Sequence, residues 1–379
     1  MRMDNNLKQF AELYKAVLWE DAAYLPGSVP DWGKLYMIAC QQSLAGVVGD
    51  YLVRNSSRFS AAGFPIPEKL LARIKAVVFQ IINANAKLNG VLAEVVSALR
   101  QAGVQSVLLK GQGVALNYPN PMLRQCGDID LYVGQENYLK TADVLKDMAG
   151  SIEFGGGSAK HYHITVREIL IEVHRTSMVY SGNKEKDAFF AALQSEGLAL
   201  ENVTSFEVNG TEVHTPDDQF NAVYIFNHLF HHFMTGGIGL RQISDWMYFI
   251  RSHRTDSEMV LRSLEGLNEV LPWKVFASLA VDVFGFPAEE MPLYCPGYSE
   301  KAKTVLKTVF DEGNFGKNKW AVSHRSKYYL VAKTQSFVRA IGRYFVLVTV
   351  FPSITMDAVK DFLVSGFSAV WDDFKAKLS

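Results

Sequence analysis

An α+β chain, with a small sheet held between two helical regions, is predicted by three features of the 379-residue sequence. Apolar residues recur at three- and four-residue spacing through the first hundred positions, which is the period of helices. From Val104 the pattern changes to short apolar runs bounded by turn residues, alternating with short helical stretches. After Thr215 the helical period returns and continues to the end. These changes divide the chain into an N-terminal helical region (1–100), an α/β core (101–215) and a C-terminal helical region (216–379). The length exceeds one ordinary hydrophobic core, so two or three packed modules are expected.

Taken in order, helices are expected over Asn6–Glu20, Asp31–Val53 and Pro67–Arg100, punctuated by Asn55-Ser56-Ser57 and Gly63-Phe64-Pro65. Val104–Leu109 reads as a strand, Gly113–Tyr118 as a short helix, Asp128–Val133 as a strand and Glu136–Met148 as a helix. Gly155-Gly156-Gly157-Ser158 opens a loop, and the runs His161–Val166 and Glu168–His174 lie close enough to pair as a hairpin. A second hairpin spans Phe206–Val213, where Asn209-Gly210 supplies the positive φ angles of a tight turn. Thr215-Pro216-Asp217-Asp218 is a helix cap and first turn.

Hydrophobic residues make up 49% of the chain, enough for a folded core, while the net charge of −1 offers no electrostatic footprint for long nucleic acid. A small substrate is therefore expected. Three cysteines, Cys40, Cys126 and Cys295, are too few and too scattered for a disulfide framework or a zinc finger. The N-terminus lacks the apolar stretch of a signal peptide, and a cytoplasmic location is expected. The late apolar run Tyr344–Phe351 stops at Pro352, short of the roughly 18 residues needed to span a bilayer, and reads as a buried helix. The surrounding aromatics Trp320, Tyr328, Tyr329, Phe337, Tyr344, Phe345 and Trp371 read as helical core.

The chemistry is concentrated in Gly127-Asp128-Ile129-Asp130-Leu131. Alternation along a strand puts Asp128 and Asp130 on one face, with Cα atoms roughly 6.6 Å apart, and turns Ile129 and Leu131 into the core. Two like charges this close either raise one pKa or attract a divalent cation, and carboxylate oxygens suit Mg²⁺. Glu172 projects opposite Ile169, Ile171 and Val173 on its own strand. If that strand lies beside the first, the three carboxylates form one cluster for one or two metal ions, as in-line phosphoryl displacement requires.

Lys110-Gly111 ends a strand before a short helix, where backbone N–H groups can hold phosphate oxygens. Lys110 then pairs with a triphosphate or with Asp130, or is merely a strand-end lysine. Arg124 has two readings, a phosphate contact or an ion pair that orients an aspartate. His228, His231 and His232 have helical spacing but no glutamate between them in the metalloprotease arrangement, so a core or cleft-lining face is expected. Arg241 and Asp245, four apart, read as an ordinary helix ion pair. His161, His163 and His174 flank the acidic strand and are expected to be structural or solvated.

Lys110-Gly111, the Tyr118-Pro119-Asn120-Pro121 turn, Arg124, the Gly127–Leu131 run, Ile171-Glu172-Val173-His174 and a histidine-bearing helical region ending near Asp245 together resemble the uncharacterised nucleotidyltransferase family of the DNA-polymerase-β-like superfamily. The likeness covers roughly residues 85 to 260, and its usual Gly-Ser turn is replaced here by Lys110-Gly111-Gln112. It implies a polymerase-β-like nucleotidyltransferase core and transfer of a nucleoside monophosphate from a nucleoside triphosphate, with ATP as the expected donor, to a hydroxyl-bearing acceptor. It further implies that the helical region covers the active site, with His228 and Asp245 as further substrate contacts; Mg²⁺ or Mn²⁺ is expected on Asp128, Asp130 and Glu172, and Lys110, Gly111 and Arg124 are the candidates for the nucleotide. The competing expectation is a non-catalytic module that keeps the fold and senses a nucleotide or a protein partner.

Overall fold

The computed structural model describes residues 5–154, 160–180, 183–314 and 341–360. The glycine run at 155–157 and the aromatics Trp320, Tyr328, Tyr329, Phe337 and Trp371 lie outside them. Helices α1 (Asn5–Leu18), α2 (Trp32–Gln41), α3 (Ala45–Arg54), α4 (Ser56–Ala61) and α5 (Glu68–Gln101) come first. The sheet region follows as β1 (Val107–Leu108), α6 (Gln112–Ala115), β2 (Asp128–Tyr132), α7 (Gly134–Leu145), β3 (Ser151–Glu153), β4 (His161–Val166), β5 (Ile169–His174), α8 (Lys184–Gly197), β6 (Thr204–Val208) and β7 (Thr211–Thr215). Then come α9 (Asp218–Thr235), α10 (Leu240–Ser252), α11 (Ser257–Gly266), α12 (Val270–Ser278) and α13 (Ser299–Glu312), and residues 341–350 and 352–360 are also helical. The α+β class expected from the sequence is the one found.

The seven strands form one mixed sheet in the order β3-β4-β5-β2-β1-β7-β6. Strands β2 and β5 are parallel neighbours, and their register sets Asp130 opposite Glu172. Strand β4 runs antiparallel to β5, with His163 opposite Glu172 and His161 opposite His174. Both expected hairpins form. Asn209 and Gly210 take φ of 48° and 78° at the β6–β7 turn, and Asp217 caps α9 by accepting from the N–H groups of Gln219 and Phe220.

Alternation gives the sheet two different faces. Ile129, Leu131, Ile164, Ile171 and Val173 project to one side, where Val91, Leu92, Val95 and Leu99 of α5 and Leu145 of α7 bury them. The other face carries the polar residues of β2, β4 and β5. A second core joins the N-terminal helices to the C-terminal ones, with Tyr14 of α1 among the same buried residues as Phe226, Trp246 and Trp273. Leu347, Val350 and Phe351 of the late apolar run belong to that core, whereas Phe345 is largely exposed. Among the described residues, no helix is long and apolar enough to cross a membrane.

One expected helix is two. Asp31–Val53 breaks at Gln42-Ser43-Leu44, where Ser43 takes a φ of 56°. The cause is tertiary: the fully buried Gln42 accepts from the N–H of Leu240 through its side chain and from that of Arg241 through its carbonyl. The break leaves the N–H of Ala45 free to donate to Gln125 Oε1 at 2.8 Å, which ties α3 to the loop before β2. The strand expected over Val104–Leu109 is likewise shorter, with ladder pairing limited to Val107 and Leu108.

Leu131 is completely buried beneath the site, whereas Leu139 of α7 is 65% exposed. Leu131→Ala is expected to destabilise the fold by about 2–5 kcal/mol, and Leu139→Ala by no more than about 0.5 kcal/mol. Urea denaturation midpoints of the two variants check this contrast.

Candidate active site

The side chains gather because β2 and β5 run parallel with Asp130 opposite Glu172, and the end of β1 lies antiparallel against β2. The N–H of Leu109 donates to the carbonyl of Asp130, so the chain just past β1 lies against β2. Lys110 comes next, and its Nζ lies 3.0 Å from Asp130 Oδ1. Gly111 then turns the chain into α6 with φ of 63°, in the left-handed region that favours glycine. The eight residues that the sequence points to, Lys110, Gly111, Arg124, Asp128, Asp130, Glu172, His228 and Asp245, all line one cavity of about 250 Å³. Helices α9 and α10 roof it, contributing His228, His232, Arg241 and Asp245.

Asp130 is 2% exposed and has two partners, Lys110 and His174, whose Nε2 lies 3.1 Å from the same Oδ1. Burial opposes its charge, but Lys110 and His174 outweigh burial and hold the carboxyl well below the usual range. Asp128 behaves oppositely. Burial, reinforced by the charge of Asp130, raises its pKa. Glu172 is held below its ordinary value, the hydrogen bond from His174 overcoming the effect of burial.

Lys110 has a second neighbour, His228, at 3.0 Å from Nζ to Nε2. Burial and then the Lys110 charge push the pKa of His228 well down, so its neutral ring accepts from the ammonium group. His232 Nε2 is 3.1 Å from the same nitrogen, and burial, with His231 next in effect, lowers its pKa to about 4. These histidines line the cleft, and His231 on the same helix is exposed.

Arg124 and Asp245 form a buried two-toothed ion pair, at 2.7 Å through Nε and 2.8 Å through Nη2. Tyr118 adds a hydroxyl donor to Asp245 Oδ1 at 2.6 Å. Burial opposes ionisation of Asp245, and Arg124 overcomes it to lower the pKa. The ordinary Arg241–Asp245 helix pair expected from spacing is thus replaced by a pair that spans 121 positions of sequence. Arg241 instead donates to the carbonyl of Gln125 at 2.6 Å while its side chain lines the cavity.

Sequence reasoning also missed Lys160, which lines the cavity beside Glu172 and whose pKa is lowered by burial and then by Lys110. Its signal was position, a lone cation immediately before the His161–Val166 strand. His161, His163 and His174 surround Glu172, His174 buried and His163 partly exposed to solvent. Counted by side chain, the lining contains four strong cations and four carboxylates, so it is close to neutral.

A cavity in which carboxylates and cations balance can accommodate a charge-rich ligand. The family model of uncharacterised nucleotidyltransferases matches residues 28–285. The chain belongs to this nucleotidyltransferase family. Curated proteins gave no match. Among solved structures, an antigenic nucleotidyltransferase-like protein from Paracoccidioides brasiliensis matches with 13% identity and a TM-score of 0.35, over 55% of this chain and 94% of that one. A likeness this slight carries no functional weight.

The Arg124–Asp245 pair yields two expectations. Arg124→Ala leaves Asp245 buried without its cation and is expected to cost about 3–5 kcal/mol in denaturant unfolding. Asp245, with its folded pKa depressed, contributes stability that is fully present above its unfolded value near ~3.9 and is lost as pH falls through the lower folded value. The stability gap between the native chain and Asp245→Asn is therefore expected to narrow below about pH 4, as measured by urea unfolding at stepped pH.

Proposed function

We propose that this cavity transfers a nucleoside monophosphate from a nucleoside triphosphate, ATP being the expected donor, to the hydroxyl of an acceptor. One observation carries the reading: in a chain of nucleotidyltransferase family, Asp128, Asp130 and Glu172 share a single cavity with Lys110 and the Gly111 turn. The acceptor oxygen forms a bond to the α-phosphorus, the bond to the bridging oxygen breaks, and pyrophosphate leaves. The acceptor proton passes to a base.

Asp128 and Asp130 would hold the divalent cation, with Glu172 as a third ligand or as the general base, and their chemistry fits it. All three offer hard oxygen donors, and burial together with the neighbouring Asp130 charge favours the protonated form of Asp128, a penalty that a bound cation would relieve. Bound Mg²⁺ or Mn²⁺ would supply neutralisation of the triphosphate charge. Because the lining is close to neutral without it, a triphosphate gains little electrostatic attraction until the carboxylates are compensated. Nucleotide affinity is accordingly dependent on the divalent cation.

The remaining residues divide the work of positioning. Lys110, kept as an ammonium group because Asp130 outweighs the effect of burial, exchanges Asp130 or His228 for a phosphate oxygen. Lys160 and Arg241 present further cations on the cavity wall. Gly111 lets the backbone come close to a phosphate. Glu172, ionised at neutral pH, accepts the acceptor hydroxyl's proton. His228 supports the Lys110 ammonium group, and the Arg124–Asp245 pair fixes α10 over the cleft.

Incubation with α-labelled nucleoside triphosphates and a panel of hydroxyl acceptors, small molecules and proteins, tests the reading through pyrophosphate release. Asp128→Asn is expected to reduce turnover by about 10³-fold or more while preserving the circular dichroism spectrum. Lys110→Met is expected to raise KM for the nucleotide as well as lower kcat. Transfer that proceeds undiminished in a folded Asp128→Asn chain would remove the proposed role of the aspartates.

A further inference from the structure

Glu172 stands in a second environment that nucleotidyl transfer does not use. The β4–β5 register places His163 opposite Glu172 and His161 opposite His174, so three imidazoles and one carboxylate share the polar face of two adjacent strands. His174 Nε2 lies 3.4 Å from Glu172 Oε2, and His161 Nδ1 lies 3.8 Å from the same oxygen. His163 Nε2 is 3.6 Å from Glu172 Oε1. Among the described residues, His161, Glu172 and His174 are the potential ligand side chains whose donor atoms all come within 4.8 Å of one another. Nδ1 of His161 is buried and has no hydrogen-bond partner, an uncommon condition for a ring nitrogen.

The donor set separates this cluster from the aspartates. Asp128 and Asp130 offer only hard oxygens, which suit Mg²⁺. Imidazole nitrogens with one carboxylate suit Zn²⁺, Co²⁺ or Ni²⁺. Tetrahedral coordination with bonds of about 2.0–2.2 Å places neighbouring donors roughly 3.3–3.5 Å apart. The observed separations of 3.4 and 3.8 Å to one glutamate oxygen require only a small closure of the side chains.

We propose that His161, Glu172 and His174 form a transition-metal site, for Zn²⁺ or a similar cation, that shares Glu172 with the carboxylate site. Occupancy ties Glu172, together with His174 at the back of Asp130, to the histidine side. This metal is therefore an inhibitor of the transfer reaction, a consequence that rests on the proposed function; the binding itself does not.

The test uses the full chain, stripped of metal and titrated with Co²⁺ in excess Mg²⁺, with visible absorption as the readout and no nucleotide present. One equivalent of Co²⁺ is expected to produce the intense bands of a four- or five-coordinate nitrogen-containing site, bleached by Zn²⁺. His161→Ala is expected to weaken binding at least tenfold, and Asp128→Asn to leave it unchanged. If circular dichroism shows that variant unfolded, His161→Gln, which keeps more of the side-chain volume, decides by the same loss of affinity. Absence of Co²⁺ bands in the native chain would overturn the proposal. So would bands that survive loss of His161 and vanish in Asp128→Asn, which would put the metal on the aspartates. Because no nucleotide enters the assay, failure of the transfer reading leaves this result intact.

Discussion

Asp130 is an ionised carboxylate inside the protein, and an uncompensated charge in such a place costs several kcal/mol. The site is organised around meeting that cost. The parallel β2–β5 register brings His174 to one side, and the chain leaving β1 brings Lys110 to the other. His228 then supports Lys110 from the roof. Each partner belongs to a different element, so satisfying one buried charge fixes the mutual placement of β1, β2, β5 and α9. Under the proposed function, the ammonium group that neutralises Asp130 is the one a phosphate would draw away.

A second buried pair holds the roof in place. Arg124 leaves the short turn after α6 and meets Asp245 on α10, with Tyr118 completing the carboxylate's partners. Gln125, next in sequence, bonds to Ala45 of α3 through its side chain and to Arg241 through its carbonyl. The loop that delivers Asp128 is therefore clamped between the N-terminal and C-terminal helices. That clamp needs the helical regions to pack together, which their shared core provides. Helices distant in sequence from the acidic strand thus set its geometry.

Much of this was legible in residue order alone. Asp-x-Asp between apolar neighbours reports its own face because strand alternation is local, and Asn209-Gly210 reports its own turn for the same reason. The adjacency of Glu172 was legible only on condition that the strands pair, since register is a tertiary property. What escaped reading depended on distant partners. The break at Gln42 is made by α10, the partner of Asp245 lies on another element, and Lys160 gains meaning only from the cavity beside it. The histidines around Glu172 read as structural or solvated because each one alone is ordinary; the two-strand register makes them a cluster. Helix α8, capped by Asn183, was passed over between the two hairpins although its cap is a local signal.

The aspartates are proposed to bind a divalent cation and through it a nucleotide, and every other role assigned to the cavity depends on that. Calorimetry of the native chain and of Asp128→Asn/Asp130→Asn with each α,β-non-hydrolysable nucleoside triphosphate analogue, with and without Mg²⁺, addresses it directly. The expected result is binding that requires Mg²⁺ in the native chain and disappears in the double variant. Binding that is equally strong without Mg²⁺, or that persists in the folded variant, would contradict the account.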